Sequence, residues 1–361
     1  MNATSIPAVY MRGGTSKGVF LHASDLPSAA PERDRVLLGI MGSPDPLQID
    51  GMGGTVSSTS KAVIVEPGPG DAITYWFAQV GIDTAQVDWS GNCGNLTTAV
   101  GPFAIDEGLV TVTEPLTRVR LINGNTGVEI LADVETPDGR AATTGDLAIA
   151  GVPGTGSPVV TRYLDPAGGV LGSLLPLGAP TNAIEIPNGM VTLSVVDAAH
   201  PNAFARLDAL GEVAGRSVAE LNADAVFLAN AERARASATV ALGRALDMND
   251  ATRNAPAVPR LMLVGPSTDA DADVDIIAFS MGRVHRGLPM TGALCLAAAA
   301  SIPGTVVAEA AGGPRGGLRI RHPLGITEAQ VEVDPDGAVR SLGVVRTARR
   351  LMDGRVYPRE Y

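Results

Sequence analysis

The chain has 361 residues, of which 45% are hydrophobic and 18% charged, a composition that can bury the cores of two domains of ordinary size. Its formal net charge of −11 argues against nucleic acid as a partner, because phosphate binding needs a basic face. The two cysteines form no disulfide framework, no apolar run approaches the ~18 residues of a membrane-spanning helix, and the first residues lack the pattern of a signal peptide. These features predict a soluble, cytoplasmic protein with neither a membrane nor a nucleic-acid partner.

Short runs rich in Val and Ile, bounded by turn residues, predict β-strands at 8–11, 18–21, 62–65, 110–112, 119–122, 128–134, 190–196, 261–264 and 274–279. A helix is predicted at Pro31–Met41, which starts with proline and is followed by Gly42. A longer helix, with a break that would divide it in two, is predicted over Val218–Asp247. Two apolar helices are predicted after Cys93 and after Met290.

The segments that open these last two helices look alike, because in each a polar loop of small residues follows a strand. We interpret them as a weak internal duplication, in which two domains each direct a helix N-terminus toward a shared cleft. The Gly/Pro-rich stretch 175–181 is the candidate linker between the domains.

Cys93 is the first candidate for chemistry, since it lies in a Gly/Asn-rich segment directly before a predicted helix. The unpaired N–H groups and the dipole at a helix start favour the anionic thiolate, and they can also bind a substrate carboxylate. A structural cysteine in a turn is the alternative that this segment leaves open. Cys295, inside the second apolar helix, is expected in the core.

A glycine-rich loop between two predicted strands carries Arg12, Thr15, Ser16 and Lys17. Such a loop presents backbone N–H groups, hydroxyls and cations together, which suits a carboxylate or a phosphate. It lacks the residue order of a P-loop, and a polar hairpin turn is the alternative.

Lys61 follows Ser60 at the end of a run of hydroxylated residues and opens an apolar strand. Apolar surroundings favour the neutral amine, which could then act as a base. The alternative is a lysine that extends from the strand end to water.

Arg283 and His285 are two residues apart near the end of a predicted strand, before the second apolar helix, so they would lie on the same face of that strand. They could bind a carboxylate, or they could be the solvated end of the strand, and the sequence leaves both interpretations open.

No segment supplies the ligands of a metal or the loop of a nucleotide. The four histidines show no metal-ligand spacing, and neither a dinucleotide fingerprint after a strand nor a nucleophile elbow is present. The sequence therefore predicts a protein without metal or cofactor.

Six motifs in a single order make the chain resemble the PrpF family, which includes 2-methylaconitate cis-trans isomerase, 3-methylitaconate delta-isomerase and 4-oxalomesaconate tautomerase. The motifs are Met11–Gly18, Met41–Asp45, Gln48–Gly54, Ser58–Lys61, Asn92–Asn95 and Leu288–Ala293. The resemblance implies an α+β fold of two similar diaminopimelate epimerase-like domains, each a curled β-sheet around a central helix, with the active site in the cleft between them. It implies domains at 1–182, completed by about 341–361, and at 183–340.

The activity implied by the resemblance is that of a cofactor-independent isomerase, which shifts a C=C bond by a 1,3-proton shift or isomerises it cis–trans through that shift. The implied substrate is a small unsaturated di- or tricarboxylate such as 4-oxalomesaconate, 2-methylaconitate, aconitate or methylitaconate. Lys61 would remove the proton, and Cys93 would return it or assist. The implied substrate-binding residues are Arg12, Thr15, Ser16, Lys17, Ser60, Asn92, Gly94, Asn95, Arg283, Met290, Thr291 and Gly292.

Two other functions stay open at this point. Related epimerases place two cysteines across the substrate, whereas Pro289, Met290 and Thr291 stand at the second position here, which argues against an amino-acid racemase or epimerase. An inactive accessory protein is the other alternative, and the retained Lys61 and Cys93 argue against it. The chain could also form a homodimer.

Overall fold

The structure, a computed structural model, describes residues 5–89, 92–187, 189–280 and 282–359, and it divides into two units. The first unit is Met1–Leu164 with Val345–Tyr361, and the second is Asp165–Val344. The resemblance places this division at 182–183, after the Gly/Pro-rich stretch 175–181, whereas in the structure that stretch lies inside the second unit.

The first unit consists of a curled sheet and two long helices. Its strands are β1 Ile6–Gly13, β2 Ser16–His22, β3 Lys61–Pro67, β4 Ile73–Val80, β5 Val87–Asp88, β6 Leu116–Asn123, β7 Glu129–Glu135, β8 Leu147–Ala148, β9 Thr155–Gly156, β10 Pro158–Leu164 and the later part of β19 Val339–Val356. Its helices are α1 Ala30–Met41 and α2 Gly94–Asp106.

The sheet of the first unit has two faces because side chains alternate along each strand. Val19 and Ile64 point to the outer face, where they pack in one cluster with Leu37 of α1. Phe20 points to the inner face and lies against Phe103 of α2, with the ring centroids 5.5 Å apart. Since α2 contacts β1, β2, β6, β7 and β10, the sheet curls around this helix.

The second unit has the same kind of architecture. Its strands are β11 Asn182–Ile186, β12 Gly189–Ala198, β13 His200–Arg206, β14 Arg260–Pro266, β15 Val274–Ser280, β16 Arg283–Val284, β17 Gly317–His322, β18 Gly325–Val333 and the first part of β19. Its helices are α3 Val218–Ala223, α4 Ala225–Ala241, α5 Met248–Asn254, α6 Met290–Ser301 and α7 Val306–Ala310. Ten of the twelve residues of α6 are buried, and this helix contacts β12, β13, β17 and β18.

Strand directions repeat between the two units. In the first, β1–β2 is antiparallel, β2–β3 parallel, β3–β4 antiparallel, β4–β6 parallel and β6–β7 antiparallel. In the second, β12–β13, β13–β14, β14–β15, β15–β17 and β17–β18 follow the same series. In both series the buried helix, α2 or α6, comes between the fourth and fifth of these strands. The repeat makes β3 equivalent to β14 and α2 equivalent to α6.

Several sequence predictions can be compared with these elements. The helix at Pro31–Met41 is confirmed, and Gly42 follows it with a φ of +74°. The strand at 110–112 is wrong, because this short stretch joins α2 to β6, and the next N–H, that of Thr113, donates to the Thr117 hydroxyl. The helix over 218–247 is broken at Asp224, whose side chain accepts from the Phe227 N–H and starts α4. The strands that were not predicted include β4, β10, β11, β13, β17, β18 and the 18-residue β19.

Within the described parts of the chain, no helix has the length and apolar character needed to cross a membrane.

Candidate active site

Lys61 is the first residue of β3 and is nearly buried, with 8% of its surface exposed. It points to the inner face, since its neighbours Ala62 and Ile64 belong to the outer cluster. Its Nζ lies 4.8 Å from the centroid of the Phe77 ring, and among the described residues no carboxylate forms an ion pair with it. Lys61 therefore does not extend to water, and its amine has no fixed counter-charge.

The polar partner of Lys61 is Gln79, which lies directly opposite it on β4. Lys61 Nζ donates to Gln79 Oε1 at 2.5 Å. Gln79 Nε2 donates in turn to the carbonyls of Ser57 and Ser60, so the amide is oriented with its oxygen toward the lysine. Gln79 lies in no motif of the sequence, and only the strand register shows that it faces Lys61.

Cys93 directly precedes α2 as its N-cap residue, so the prediction of a thiol at a helix start is confirmed. The thiol is partly exposed, and its Sγ lies 3.9 Å from Ser16 Oγ. The N–H groups of Gly94 and Asn95 have no acceptor among the described residues, as expected for the first turn of a helix. An anion placed beside the thiol would meet these N–H groups. Ser90 and Gly91, which precede this segment, lie outside the described residues.

Strand β2 brings the lysine and the thiol to the same region. Ser16, its first residue, approaches Cys93, and a Cβ on Gly18 would lie 2.6 Å from the Lys61 carbonyl oxygen. The hairpin turn that precedes β2 touches α2, because Asn95 Nδ2 donates to Thr15 Oγ1 at 2.9 Å. The start of β2 is thus flanked by Lys61 on one side and by the N-terminus of α2 on the other.

Tyr75 of β4 holds the loop before α2 through hydrogen bonds. The Tyr75 hydroxyl donates to Asn92 Oδ1 at 3.2 Å and pairs with Thr97 Oγ1 at 2.8 Å, and Thr97 Oγ1 also contacts Asn92 Oδ1 and the Cys93 carbonyl. Burial raises the pKa of Tyr75 to about 12, so this hydroxyl keeps its proton at neutral pH. The side-chain oxygen of Asn92 is therefore engaged inside the protein, where it anchors the loop.

Arg12 and Lys17 do not join Ser16 on the inner face. They lie opposite each other on β1 and β2, and Arg12 shares the outer face with Tyr10, over whose ring Lys17 Nζ lies at 5.6 Å. Arg349 of β19 lies opposite Arg12 on the other side, so three cations form a row across three strands. Burial, and secondarily the charge of Arg349, lowers the pKa of Arg12.

Ser60 is fully buried and serves the loop that leads to β3. Its Oγ donates to the Val80 carbonyl and accepts from Gln48 Nε2, which also donates to Ser43 Oγ. Gln48 is itself 1% exposed, and its Oε1 accepts from the Thr55 N–H. This network holds the segment before Lys61 in place.

In the second unit, Met290, Thr291 and Gly292 form the first turn of α6. Their N–H groups have no acceptor among the described residues. Thr291 Oγ1 accepts a hydrogen bond at 3.2 Å from Arg260 Nη1, which the sequence analysis missed.

The sequence analysis also names Arg283 and Cys295 in the second unit. Arg283 is exposed on β16 and makes no ion pair with any described residue. Cys295 is fully buried, as predicted, its thiol donates to the Val196 carbonyl, and burial raises its pKa to about 12.

No group of three or more His, Cys, Asp or Glu side chains that could hold a metal ion occurs among the residues that the structure describes.

A comparison with known protein families identifies the family of this chain. A family model described as "PrpF protein" matches residues 3–359, almost the whole chain. The chain belongs to the PrpF family. The resemblance stated from the six motifs is therefore confirmed.

Relatives with named activities are isomerases. The chain is 41% identical to the (4E)-oxalomesaconate Delta-isomerase of a Novosphingobium species, over 99% of this chain and 98% of the relative. It is 39% identical to the 3-methylitaconate isomerase of Eubacterium barkeri, over 98% and 97% of the two chains. The chain is an isomerase of this family, and neither a racemase nor an accessory protein is favoured.

Solved structures confirm the fold. The crystal structure of a methylitaconate-delta-isomerase superposes with a TM-score of 0.91 at 39% identity, over 99% of this chain and 96% of that one. A protein described as a "probable proline racemase" from Agrobacterium radiobacter, only 15% identical, superposes with a TM-score of 0.52 over 97% and 92% of the chains, which shows a shared fold alone. The predicted epimerase-like fold of two similar halves, each a curled sheet around a helix, is confirmed.

Proposed function

We propose that this isomerase shifts a C=C bond in a small unsaturated di- or tricarboxylate by moving a proton between two carbons, without a cofactor. The observation that carries the proposal is Lys61, a nearly buried amine without a carboxylate partner among the described residues, which flanks the same strand start as the thiol of Cys93. Only two lysines occur in the chain, against 25 arginines, and arginine cannot lose its proton in a protein. A lysine at this position is consistent with proton transfer.

In the proposed reaction the neutral amine of Lys61 removes a proton from a carbon next to the double bond. The electron pair left behind spreads over the allylic carbons and into the adjacent carboxylate, and the thiol of Cys93 returns a proton at the other end of the allylic system. One C–H bond breaks, one forms and the double bond moves, so the substrate loses and gains no atoms. The ammonium of Lys61 and the thiolate of Cys93 then exchange a proton, directly or through water.

The intermediate carries one more negative charge than the substrate, and the helix start beside Cys93 would stabilise that charge. The unpaired N–H groups of Gly94 and Asn95 are fixed donors, and the dipole of α2 adds to their effect. Ser16, 3.9 Å from the thiol, would add a hydroxyl contact. Thr15 and Asn92 would act by holding the loops on either side.

Substrate-binding roles are also proposed for residues elsewhere. In the second unit, carboxylates would be bound by Met290, Thr291, Gly292 and Arg283. Ser60 would act indirectly, by holding the segment that precedes Lys61. Arg12 and Lys17, on the outer face of their hairpin, would attract the anion without touching the reacting carbons.

Among substrates, 4-oxalomesaconate, 2-methylaconitate, aconitate and methylitaconate all contain the required allylic proton. Cytoplasmic location, a homodimer and independence of cofactors stay predictions.

The test combines two lysine variants with solvent deuterium. Lys61→Ala and Lys61→Arg should both lose about 10²–10⁴ in kcat, because the arginine keeps the charge but cannot accept a proton. Wild-type turnover in deuterated water should place deuterium at the carbon that gains a proton. A Lys61→Arg variant with more than half of the wild-type kcat, or product that keeps all its original hydrogens without an isotope effect, would reject the proton shift.

A further inference from the structure

Arg260 is the second unit's equivalent of Lys61. Each is the first residue of a seven-residue strand that ends in proline, β3 at Pro67 and β14 at Pro266. Each of these strands is parallel to the preceding strand of the repeat and antiparallel to the following one. The repeat therefore relates a lysine in one unit to an arginine in the other.

The side chain of Arg260 points to the helix side of its sheet, as that of Lys61 does. Leu261 and Leu263 belong to the outer cluster that packs against α4, so Arg260 and Met262 face inward. A Cβ on Gly292 would lie 2.2 Å from Met262 Cε, which places the first turn of α6 directly on this strand. Arg260 Nη1 donates to Thr291 Oγ1 in that turn.

The guanidinium of Arg260 has no anionic partner among the described residues. Most arginines of the second unit that lie near the sheet are paired, as Arg319 is with Asp273 and Arg321 with Asp275. Arg260 is only partly exposed, and burial lowers its pKa, which means that its positive charge is held at a cost. In the part of the chain that the structure describes, the guanidinium makes one hydrogen bond, to a neutral hydroxyl, so most of its five N–H donors are available to bind a ligand.

His200, although close to Arg260, adds no positive charge to this region. It starts β13, next to β14, and its Nε2 lies 2.9 Å from the Ala257 carbonyl, so Nε2 carries the proton and donates. Burial, followed by the charge of Arg260, lowers the pKa of His200 to about 4. The imidazole is therefore neutral at neutral pH and adds no charge beside Arg260.

We propose that Arg260 is a carboxylate-binding residue of this enzyme, which holds one carboxylate of the substrate together with the Thr291 hydroxyl and the first N–H groups of α6. The planar guanidinium can bind a carboxylate through two parallel hydrogen bonds, which a lysine ammonium cannot do. The repeat has then been used for two different tasks: a lysine moves a proton in the first unit, and an arginine at the equivalent position binds an anion in the second. This inference rests on the proposed function, because it assumes a polycarboxylate substrate.

The test measures equilibrium binding of two unreactive ligands, tricarballylate and glutarate, which share a carbon chain and differ by the central carboxylate. The proteins are wild type, Arg260→Gln, Arg260→Lys and the control Arg206→Gln, whose arginine is exposed at the far end of β13. We expect Arg260→Gln to raise the Kd of tricarballylate by about 10–100-fold, the loss of a charged hydrogen bond, and Arg260→Lys to lie between. Arg206→Gln should bind as the wild type does.

The two ligands also locate the contact. If Arg260 binds the central carboxylate, Arg260→Gln should lose the preference for tricarballylate over glutarate; if it binds a terminal one, both ligands should weaken by the same factor. A variant that is only less stable would show a lower Tm with neither of these changes in Kd. If Arg260→Gln does not fold, Arg260→Lys, which keeps the charge, provides the measurement instead. Kd values for both ligands within twofold of wild type in Arg260→Gln and Arg260→Lys would overturn the inference. Wild-type protein that neither binds tricarballylate nor isomerises any unsaturated polycarboxylate would instead overturn the proposed function.

Discussion

At the scale of single residues, the site depends on polar groups that hold the reactive ones in place. Lys61 is oriented by one amide, that of Gln79, and Cys93 by its position as the first residue outside α2. Neither has a charged partner among the described residues that would fix its protonation state. In the proposed reaction each of these groups gains and loses a proton in every turnover, and neutral partners suit that role because an ion pair would favour one of the two forms.

Replacing Gln79 should therefore change the dependence of the rate on pH. Gln79→Glu places a carboxylate beside the amine, which favours the ammonium, so the pH at which kcat is half-maximal should move upward. Gln79→Met, of similar size, removes the acceptor for Lys61 together with the two donor bonds to the Ser57 and Ser60 carbonyls, and it should lower kcat by about tenfold at every pH. Rate profiles measured between pH 6 and 10 for both variants provide the check, and superimposable profiles would contradict the role of Gln79.

The two cysteines should differ sharply in reactivity. Cys93 is partly exposed at a helix start, whereas Cys295 is fully buried and burial raises its pKa to about 12. Iodoacetamide should therefore label Cys93 in the folded protein and Cys295 only after unfolding, and tricarballylate should slow the labelling of Cys93. Mass spectrometry of digested samples gives both rates, with Cys295→Ala as the control that removes the slow site. Equal rates, or no protection by the ligand, would contradict an anion site beside the thiol.

At the scale of secondary-structure elements, the hairpin of β1 and β2 places its polar residues on two different faces. Ser16 on the inner face meets Cys93, while Lys17 and Arg12 on the outer face continue into a row with Arg349 of β19. Like charges directly opposite each other on neighbouring strands destabilise a sheet. Arg12 donates to the Gly14 and Thr347 carbonyls and Lys17 lies over the Tyr10 ring, but among the described residues no carboxylate forms an ion pair with this row.

Arg349→Gln should for this reason stabilise the protein. Removing one charge from the row should raise the Tm by about 1–2 °C at low ionic strength, and about 1 M salt should abolish the difference because it screens exposed charges. Calorimetry at both salt concentrations is the measurement. Arg355→Gln, on the same strand but bonded to Ser5, is the matched control and should not raise the Tm. A salt-independent effect of Arg349→Gln would exclude the electrostatic explanation.

His200 at the start of β13 should make stability depend on pH. Its pKa in the folded protein is about 4, below the ordinary value of 6.5, so the unfolded chain takes up this proton first as the pH falls. His200 thus supports the folded state fully above about pH 6.5 and loses that contribution between pH 6.5 and 4. His200→Asn, which can still donate to the Ala257 carbonyl, should remove this loss, worth on the order of 2–3 kcal/mol. Urea unfolding at pH 7.5 and 4.5 tests this, and identical pH dependence in both proteins would refute it.

At the scale of the whole molecule, two units repeat one series of strand directions and one buried helix but differ in the residues that matter. Lys61 and Cys93 in the first unit correspond to Arg260 and Pro289 in the second. The second unit therefore has neither a base nor a thiol at the equivalent places. The duplication accounts for the fold, and the differences between its halves account for the chemistry that we propose.

An exchange of the two residues tests whether the halves are equivalent. The double variant Lys61→Arg with Arg260→Lys keeps the composition and the net charge of −11. It should fold but be as inactive as Lys61→Arg alone, because the transferred lysine has no thiol beside it. Activity assays with circular dichroism as the folding control provide the comparison. Recovery of more than a tenth of the wild-type kcat would show that the position in the repeat, rather than the surroundings of Lys61, decides function.

The sequence by itself determined the family, the α+β class, the starts of α1, α2 and α6, and the candidate pair of Lys61 and Cys93. These follow from local signals, since capping residues, short Val/Ile runs and ordered motifs are readable without knowing what packs against them. The strand predicted at 110–112 and the missed strands show the limit of this approach. A short run of residues cannot indicate whether a partner strand lies beside it.

Only the tertiary structure decided which side chains share a face. Alternation separates Ser16 from Lys17 in any hairpin, but packing of α2 against one face determines that Ser16 is the residue beside Cys93. Gln79 and Arg260 carry no motif, and they are found only because strand register places one opposite Lys61 and the repeat places the other at its equivalent position. Register between distant segments is set by long-range packing, which no local pattern records.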